Sequence, residues 1–191
     1  MGCGLVRSRS VTPLGHAAVA YASSAVQWRP AVALRSRTVV AALVVGGVIP
    51  DIDFALLWHP AFNEFHRIVT HNLAFVAVVA TVGWRLAKWR GWNGAAVGVG
   101  LVVGGLLHFF VDSCMDGNPS NGVGVALLWP LSDRTFSPFN VIPISSDPPS
   151  WRQLDRMIPA VAYGVMFELP FYVAAVALYF RRRRERTRLV P

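Results

Sequence analysis

The chain has 191 residues and a formal net charge of +8, and its composition is 54% hydrophobic but only 15% charged. So apolar a composition, with a mean hydropathy of +0.45, is unusual for a soluble domain of this length and indicates a membrane protein with several spans. The two cysteines are too few for a disulfide framework or a paired-cysteine zinc site.

Five apolar segments follow one another along the chain, and we expect each to form a helix. A helix that crosses the hydrocarbon core needs about 20 apolar residues. Four segments approach or exceed that length, whereas the first is shorter and either spans the bilayer or lies in its interface. The pattern predicts an all-α fold, a polytopic membrane helix bundle forming a single domain, 1–191, with spans at about 38–58, 71–88, 94–113 and 158–180 and a shorter N-terminal helix at 11–28.

Basic residues are concentrated on one predicted side of the membrane. They lie at 29–37, at 85–90 and in the tail 181–191, and alternating spans place all three regions on the same side. The positive-inside rule assigns that side, and with it the C-terminus, to the cytoplasm, and leaves the long irregular loop 114–156 outside. The positive charge therefore predicts contact with anionic membrane lipid, and no nucleic-acid partner is expected.

Two acids follow a proline in the second segment. Pro50 interrupts the apolar run of residues 38–58, and Asp51 and Asp53 come at once after it. A proline at this place bends or ends a helix and frees backbone carbonyl groups. We expect both carboxylates to face one cavity, and the alternative is a helix end that reaches the polar headgroups.

Histidines lie near the ends of the other segments. His108 and Asp112 are four residues apart, so they share one helix face and can hold one cation, although a histidine bonded to its own helix neighbour is the plainer alternative. Thr70 is predicted as the N-cap of a helix that begins at His71. Because successive spans run in opposite directions, the ends that carry these residues gather on one side of the membrane. The predicted metal ligands are His16, Asp51, Asp53, His71, His108 and Asp112.

The chemistry of this ligand set favours zinc. Mixed nitrogen and oxygen ligation with several carboxylates suits that metal, with manganese or iron as alternatives. A metal-bound water whose pKa is lowered to about 7 is the usual nucleophile of metal-dependent hydrolases. Asp53 or Glu64 could act as general base, and Arg67 could bind an anionic substrate, as could Arg134. The predicted catalytic residues are Asp53, Glu64 and Arg67.

Five short motifs occur in order along the chain: LGH at 14–16, GVIPDID at 47–53, HRIVTH at 66–71, GLLHFFVD at 105–112 and GVALLWP at 124–130. Together they resemble the YdjM family of bacterial inner-membrane proteins, and the resemblance covers residues 12–136. It implies a multi-pass protein of the bacterial cytoplasmic (inner) membrane that acts as a metal-dependent hydrolase. The favoured substrate class is a phosphoester, either a small molecule or a lipid headgroup.

A more distant resemblance bears on the number of metals. The order of His16, an early aspartate, a middle histidine and an HxxxD motif is similar to that in zinc-dependent phospholipase C and P1 nuclease, whose sites hold three zinc ions. This chain lacks their further downstream helix with an HxxxE motif. The resemblance therefore implies one or two metals here.

Two other functions are consistent with the sequence. The histidines and aspartates could form a structural metal site or polar core in a non-catalytic binding or regulatory membrane protein. A small transporter could instead use buried acids as a relay, but Glu168 is the one acid in the inner halves of the predicted spans. At that depth we expect Glu168 to be protonated, paired with an arginine or turned toward the cavity.

Overall fold

The computed structural model describes residues 12–25, 36–56, 59, 66, 68–114, 124–136, 138 and 154–187. A helix occurs at each of the five predicted segments, which confirms the all-α fold. The helices are α1 (Pro13–Ser23), α2 (Arg37–Val48), α3 (Leu73–Trp89), α4 (Gly94–Ser113) and α5 (Leu154–Thr187), and a 3-10 helix (Ile49–Leu56) continues α2.

Two helical segments of the described chain are long and apolar enough to cross a membrane. They are Arg37–Leu56 and Gly94–Ser113, each of 20 residues with a mean hydropathy of 2.0. Helix α3 has 17 residues, and at a rise of 1.5 Å per residue its length of about 26 Å falls slightly short of a hydrocarbon core of about 30 Å. The spans predicted within α3 and α5 are not among the two candidate segments and stay predictions.

The α-helix ends just before Pro50, one of the two effects predicted for this proline, and the cause is local. The α-helical hydrogen bonding of α2 ends at Val48, and the chain continues as the 3-10 helix that carries Asp51 and Asp53. A proline has no N–H to donate within the helix, so regular α-helix cannot pass through position 50 unchanged. The change of helix type leaves Pro50 and both aspartates buried.

The N-cap predicted for the third helix is wrong by two residues. Asn72, not Thr70, accepts a hydrogen bond from the N–H of Phe75, at 2.8 Å, and α3 begins at Leu73. Asparagine caps helices at least as well as threonine. The displacement of the cap leaves the Thr70 hydroxyl available to Asp53, to which it donates a hydrogen bond of 3.1 Å.

Helices α2 and α4 approach each other closely through glycine. A Cβ atom on Gly46 would lie 2.8 Å from Cα of Leu101, and one on Gly104 would lie 2.6 Å from the backbone nitrogen of Gly47. Small residues permit this backbone contact between membrane helices. The contact brings the C-terminal end of α2 beside the C-terminal half of α4.

Helices α1 and α5 run side by side in the same direction. The hydroxyl of Thr12, the N-cap of α1, donates to the carboxyl of Glu168 at 2.8 Å, while Arg182 donates to the carbonyl of Ser24, just past the helix, at 3.0 Å. The guanidinium of Arg182 also lies over the ring of Tyr21. Glu168, which contacts the start of α1, therefore lies about 21 Å from Arg182 along the axis of α5, at 1.5 Å per residue.

Residues 124–136 of the predicted external loop pack against the helices. Val125 and Phe136 exchange two backbone hydrogen bonds of 2.9 Å, which form an isolated antiparallel bridge. Val125 is fully buried against Val76 of α3 and Phe109 of α4. This part of the loop is thereby fixed at the end of the helices where Asp51 and His71 lie.

Candidate metal centre

Five buried side chains with metal-ligating atoms meet where the helices converge. They come from four places: the first turns of α1, the 3-10 helix, the residue before the α3 cap, and the last turns of α4, which supply two of them. All have at most 7% of their surface exposed. The five residues are His16, Asp51, His71, His108 and Asp112.

Four atoms of this group lie at separations close to those between ligands of one metal. Nε2 of His71 lies 3.5 Å from Oδ1 of Asp51 and 3.6 Å from Oδ2 of Asp112. Nε2 of His108 lies 3.7 Å and 3.3 Å from the same two oxygens. Tetrahedral ligands at about 2.0–2.1 Å from zinc are about 3.3–3.4 Å from one another. These four nitrogen–oxygen separations are close to that distance. The candidate ligand atoms form two groups whose members all lie within 4.8 Å of one another, namely Asp51, His71 and His108, and His16, His108 and Asp112.

The hydrogen bonding of these atoms supports the same interpretation. Among the described residues, Nε2 of His71, Nε2 of His108 and Oδ2 of Asp51 are buried without a hydrogen-bond partner. A buried polar atom left unpaired costs about 1–3 kcal/mol. A cation would give the two Nε2 atoms a common partner, because ligand atoms of Asp51, His71 and His108 all lie within 4.8 Å of one another. The donor set therefore fits a divalent metal.

The backbone of α2 orients His108. Its Nδ1 lies 2.9 Å from the carbonyl oxygen of Gly47, so Nδ1 carries the proton and Nε2 keeps the lone pair that a metal needs. In a 3-10 helix a carbonyl pairs with the N–H three positions later. For Gly47 that position is Pro50, which has no N–H, so its carbonyl is available to His108. Pro50 thus contributes to the site indirectly, because it leaves available the carbonyl that orients His108.

A threonine and an aspartate orient His71 in the same way. The Thr70 hydroxyl donates to Oδ2 of Asp53, so its oxygen is free to accept the Nδ1 proton of His71, 3.0 Å away. Nε2 of His71 is then the unprotonated nitrogen that faces the centre. A hydrogen bond from Nδ1 to such an outer partner favours the neutral imidazole that binds metals.

Asp53 lies behind His71 rather than beside Asp51. Its Oδ2 is 3.0 Å from Nδ1 of His66 and 4.0 Å from Nδ1 of His71. This oxygen therefore faces the proton-bearing side of the His71 ring. Asp53, His66 and His71 do form a group with the spacing of metal ligands, but the Nδ1 atom of His71 is already engaged by Thr70.

His16 reaches the centre from α1. Its Nε2 lies 3.4 Å from Oδ1 of Asp112, and its ring stacks on the ring of His108 with centroids 3.7 Å apart and planes 22° from parallel. The stacking fixes the imidazole without using either nitrogen.

The structure brings five of the six predicted metal ligands together and places Asp53 next to them. The predicted catalytic residues Glu64 and Arg67 lie outside the described residues, and Arg134 is exposed on the loop. Sequence reasoning missed the roles of Thr70 and the Gly47 carbonyl. The position of Gly47 three residues before a proline was the one signal for the carbonyl.

Comparison with known proteins gives one match. A family model described as YdjM inner membrane protein matches residues 11–185. No curated protein and no solved structure matches the chain.

Proposed function

The chain belongs to the YdjM inner membrane protein family, and on that premise we propose that it is a membrane-bound metal-dependent hydrolase. The observation that carries the proposal is the convergence of two unprotonated Nε2 atoms and two carboxylates at separations of 3.3 to 3.7 Å. The proposed substrate is a phosphoester or a lipid headgroup at the outer face of the cytoplasmic membrane.

In this proposal each described residue has a defined task. Asp51, His71, His108 and Asp112 hold the metal, and the two carboxylates offset the charge of a divalent cation. Zinc, or alternatively manganese or iron, would supply Lewis acidity and a bound water with a pKa of about 7. Thr70 and Asp53 keep His71 in the correct tautomer, so we assign Asp53 to orienting that ring. Glu64 and Arg67 stay predictions for the base and the anion-binding group.

Charge and depth support an outer-face location. Arg182 marks the basic end of α5, and the positive-inside rule assigns such an end to the cytoplasm. The start of α1, one turn from His16, contacts Glu168, about 21 Å of helix away from Arg182. In a hydrocarbon core of about 30 Å, that separation supports a metal centre in the outer half of the bilayer.

Apolar side chains at the same end of the bundle support a lipid-borne substrate. Ile52 and Leu56 of the 3-10 helix are 54% and 53% exposed, and Leu131 of the loop is 92% exposed. Large exposed apolar groups around a site are expected where it opens toward lipid rather than water. Arg134 is exposed three residues further on, and in this proposal it would bind an anionic headgroup.

The test is elemental analysis of the detergent-purified protein, followed by turnover of a phosphodiester-containing lipid. We expect near-stoichiometric zinc in the wild-type chain, loss of zinc in His108→Gln and Asp112→Asn, and no change in His59→Gln, whose side chain is exposed. Circular dichroism and monodispersity establish that each variant is folded. A wild-type chain that takes up no metal after reconstitution would overturn the proposal.

A second function is favoured by one observation, the depth of burial. The candidate ligands have 0% to 7% exposure, and closed sites of this kind are typical of structural metals. A non-catalytic binding or regulatory protein would then keep its metal but lack turnover. Metal retained in the wild type, with no hydrolysis of lipid or soluble phosphodiesters, would favour this second function.

A further inference from the structure

We propose that the hairpin of α3 and α4 binds one anionic phospholipid near its turn, with the lipid phosphate at Lys88 and an acyl chain in a groove between the two helices. The turn joins the end of α3 at Trp89 to the start of α4 at Gly94. This surface is separate from the metal centre, because His108 and Asp112 lie at the opposite end of α4.

An open groove of about 320 Å³ runs between α3 and α4. Its lining includes Thr81 and Trp84 of α3 and Gly98 and Val99 of α4. A Cβ atom on Gly98 would lie 3.5 Å from Cβ of Trp84, an ordinary contact distance, so there is room for further atoms at this position. The Thr81 hydroxyl donates to the carbonyl of Ala77 at 2.7 Å. The groove therefore presents mainly apolar surface, which suits an acyl chain.

The turn beside the groove is basic. Arg85, Lys88 and Arg90 are all exposed there, and the sequence has no acid from residue 65 to residue 111. The one acid of the hairpin is Asp112, about 27 Å from Gly94 along α4 at 1.5 Å per residue. A group of cations with no acid near it on the same hairpin is complementary to an anionic ligand.

Lys88 connects this charge to the groove. Its Nζ lies 5.2 Å from the centre of the Trp84 ring, and Trp84 is part of the groove lining. Both side chains lie against the start of α4, where a Cβ atom on Gly94 would be 2.6 Å from Cγ of Lys88 and 2.8 Å from Cδ1 of Trp84. A phosphate bound to the Lys88 ammonium group would therefore lie at the entrance of the groove.

The combination of charge and apolar groove favours a phospholipid over a soluble anion. The positive-inside rule assigns this turn to the cytoplasmic side, and basic pockets between membrane helices on that side bind anionic lipid headgroups. Trp84, Trp89 and Trp92 are 39%, 75% and 55% exposed around the same turn. Exposed tryptophans of this kind are typical of the headgroup level of a bilayer, which is where a lipid phosphate would lie.

The test is native mass spectrometry of the full-length, delipidated chain in detergent, titrated with phosphatidylglycerol. Phosphatidylcholine with the same acyl chains is the comparison with no net charge. We expect one phosphatidylglycerol per chain to bind about fivefold to 25-fold more tightly than phosphatidylcholine, because each basic residue near an anionic headgroup contributes a factor of about five. Circular dichroism and monodispersity establish that each protein is folded.

Two variants fill the groove while leaving every charge in place. Gly98→Leu adds a side chain where a Cβ atom meets no close contact, and leucine is a better helix former than glycine. Val99→Phe adds bulk at a lining position that is 54% exposed. Both should abolish the tightly bound phosphatidylglycerol. Ala174→Leu, at an exposed position of α5, adds bulk to another helix and should bind the lipid as the wild type does.

One variant removes charge while leaving the groove open. Lys88→Gln should weaken phosphatidylglycerol binding about fivefold and leave phosphatidylcholine binding unchanged. Arg183→Gln is the matched control, because Arg183 is exposed in the basic end of α5 and its loss changes the net charge by the same amount. It should leave the binding of both lipids unchanged.

Three results would overturn the proposal. Equal weakening in Lys88→Gln and Arg183→Gln would show diffuse attraction to a basic surface and not a site at the hairpin. Tight binding retained in folded Gly98→Leu and Val99→Phe would exclude the groove, and equal affinity for the two lipids would exclude recognition of charge. Zinc content, measured on the same samples, should be the same in every variant, so the lipid result is independent of the metal-dependent function proposed above.

Discussion

Two buried acidic regions of this molecule differ in how their charge is satisfied. In the first, the carboxyl of Glu168, 3% exposed, accepts hydrogen bonds from the N–H and the hydroxyl of Thr12 and from the hydroxyl of Tyr172. In the second, Asp51 and Asp112 face imidazole nitrogens, of which Nε2 of His71 and Nε2 of His108 have no hydrogen-bond partner among the described residues. The carboxyl group of the first region has hydrogen-bond donors without any ligand. The imidazole nitrogens of the second region would gain a partner if a cation were bound.

This difference shows two ways in which a buried acid in a membrane helix bundle can be compensated. An acid at this depth is costly unless donors, an opposite charge or a metal compensate for it. Glu168 is compensated by the N-terminus of α1, whose helix dipole favours an anion. Glycine at position 15 leaves room for the carboxyl group, with which a Cβ atom would collide. Glu168 therefore joins α1 to α5 and fixes the helix that carries His16.

Removal of metal should have the largest effect on stability. A ligand present at about 1,000 times its Kd stabilises the folded state by about 4 kcal/mol. A strong chelator should therefore lower the Tm of the wild-type protein markedly, measured by thermal unfolding in detergent. Glu168→Gln should show the same decrease, whereas the Tm of Asp112→Asn should not respond. An equal response of all three proteins would contradict a metal centre at Asp112.

Glu168→Ala should cause the next largest loss of stability. It leaves the donors of Thr12 and Tyr172 unpaired, and the loss of a buried charged acceptor costs about 3 kcal/mol. Metal content at saturating zinc should stay at the wild-type value, because no ligand is removed. The control is Glu185→Ala, since Glu185 is exposed and its ion pair with Arg181 on the helix surface should contribute less than about 1 kcal/mol.

That comparison has a clear negative outcome. If Glu168→Ala unfolds no more easily than Glu185→Ala, the bonds to Thr12 do not stabilise the bundle. If folded Glu168→Ala instead loses zinc while Glu185→Ala keeps it, the acid belongs to the metal centre and the two regions are not independent.

A smaller effect is expected from Thr70→Val, which removes the hydroxyl between His71 and Asp53. Loss of such an orienting partner lowers metal affinity about tenfold to a hundredfold, which corresponds to about 1.4–2.8 kcal/mol. Zinc affinity is measured by competition with a chromophoric chelator. Thr81→Val is the matched control, because the Thr81 hydroxyl bonds a carbonyl of its own exposed helix turn, at 2.7 Å. Equal affinities in the two variants would remove Thr70 from the site.

The sequence predicted the positions of the helices better than the side-chain contacts between them. Apolar length located all five helices, and α4 begins and ends where predicted, at Gly94 and Ser113. Helix α5 extends past the predicted end at residue 180 to Thr187, because the arginines of the basic tail are good helix formers. Hydropathy detects the apolar part of such a helix and not its polar extension.

The clustering of the candidate ligands was predictable because polar residues at membrane depth are rare and alternating spans sort them to one side. Their partners were not. Glu168 and Thr12 are 156 positions apart, and the Nδ1 proton of His108 goes to a backbone carbonyl on another helix. Contacts of this kind depend on how the helices are placed against one another, which residue types and local spacing do not encode.

Tyr172→Phe should produce the smallest loss of stability, and it tests a single hydrogen bond. It removes one hydroxyl from Glu168 while both bonds from Thr12 remain, and a single hydrogen bond to a charged or neutral group contributes about 1–2 kcal/mol net. Tyr179→Phe, on an exposed part of α5, is the control and should leave the Tm unchanged. Zinc content should be at the wild-type value in both variants, because α1 is still held by Thr12. A Tyr172→Phe protein with normal stability but reduced zinc would mean that this hydroxyl positions His16 through α1, and the satisfied acid would then be part of the functional site.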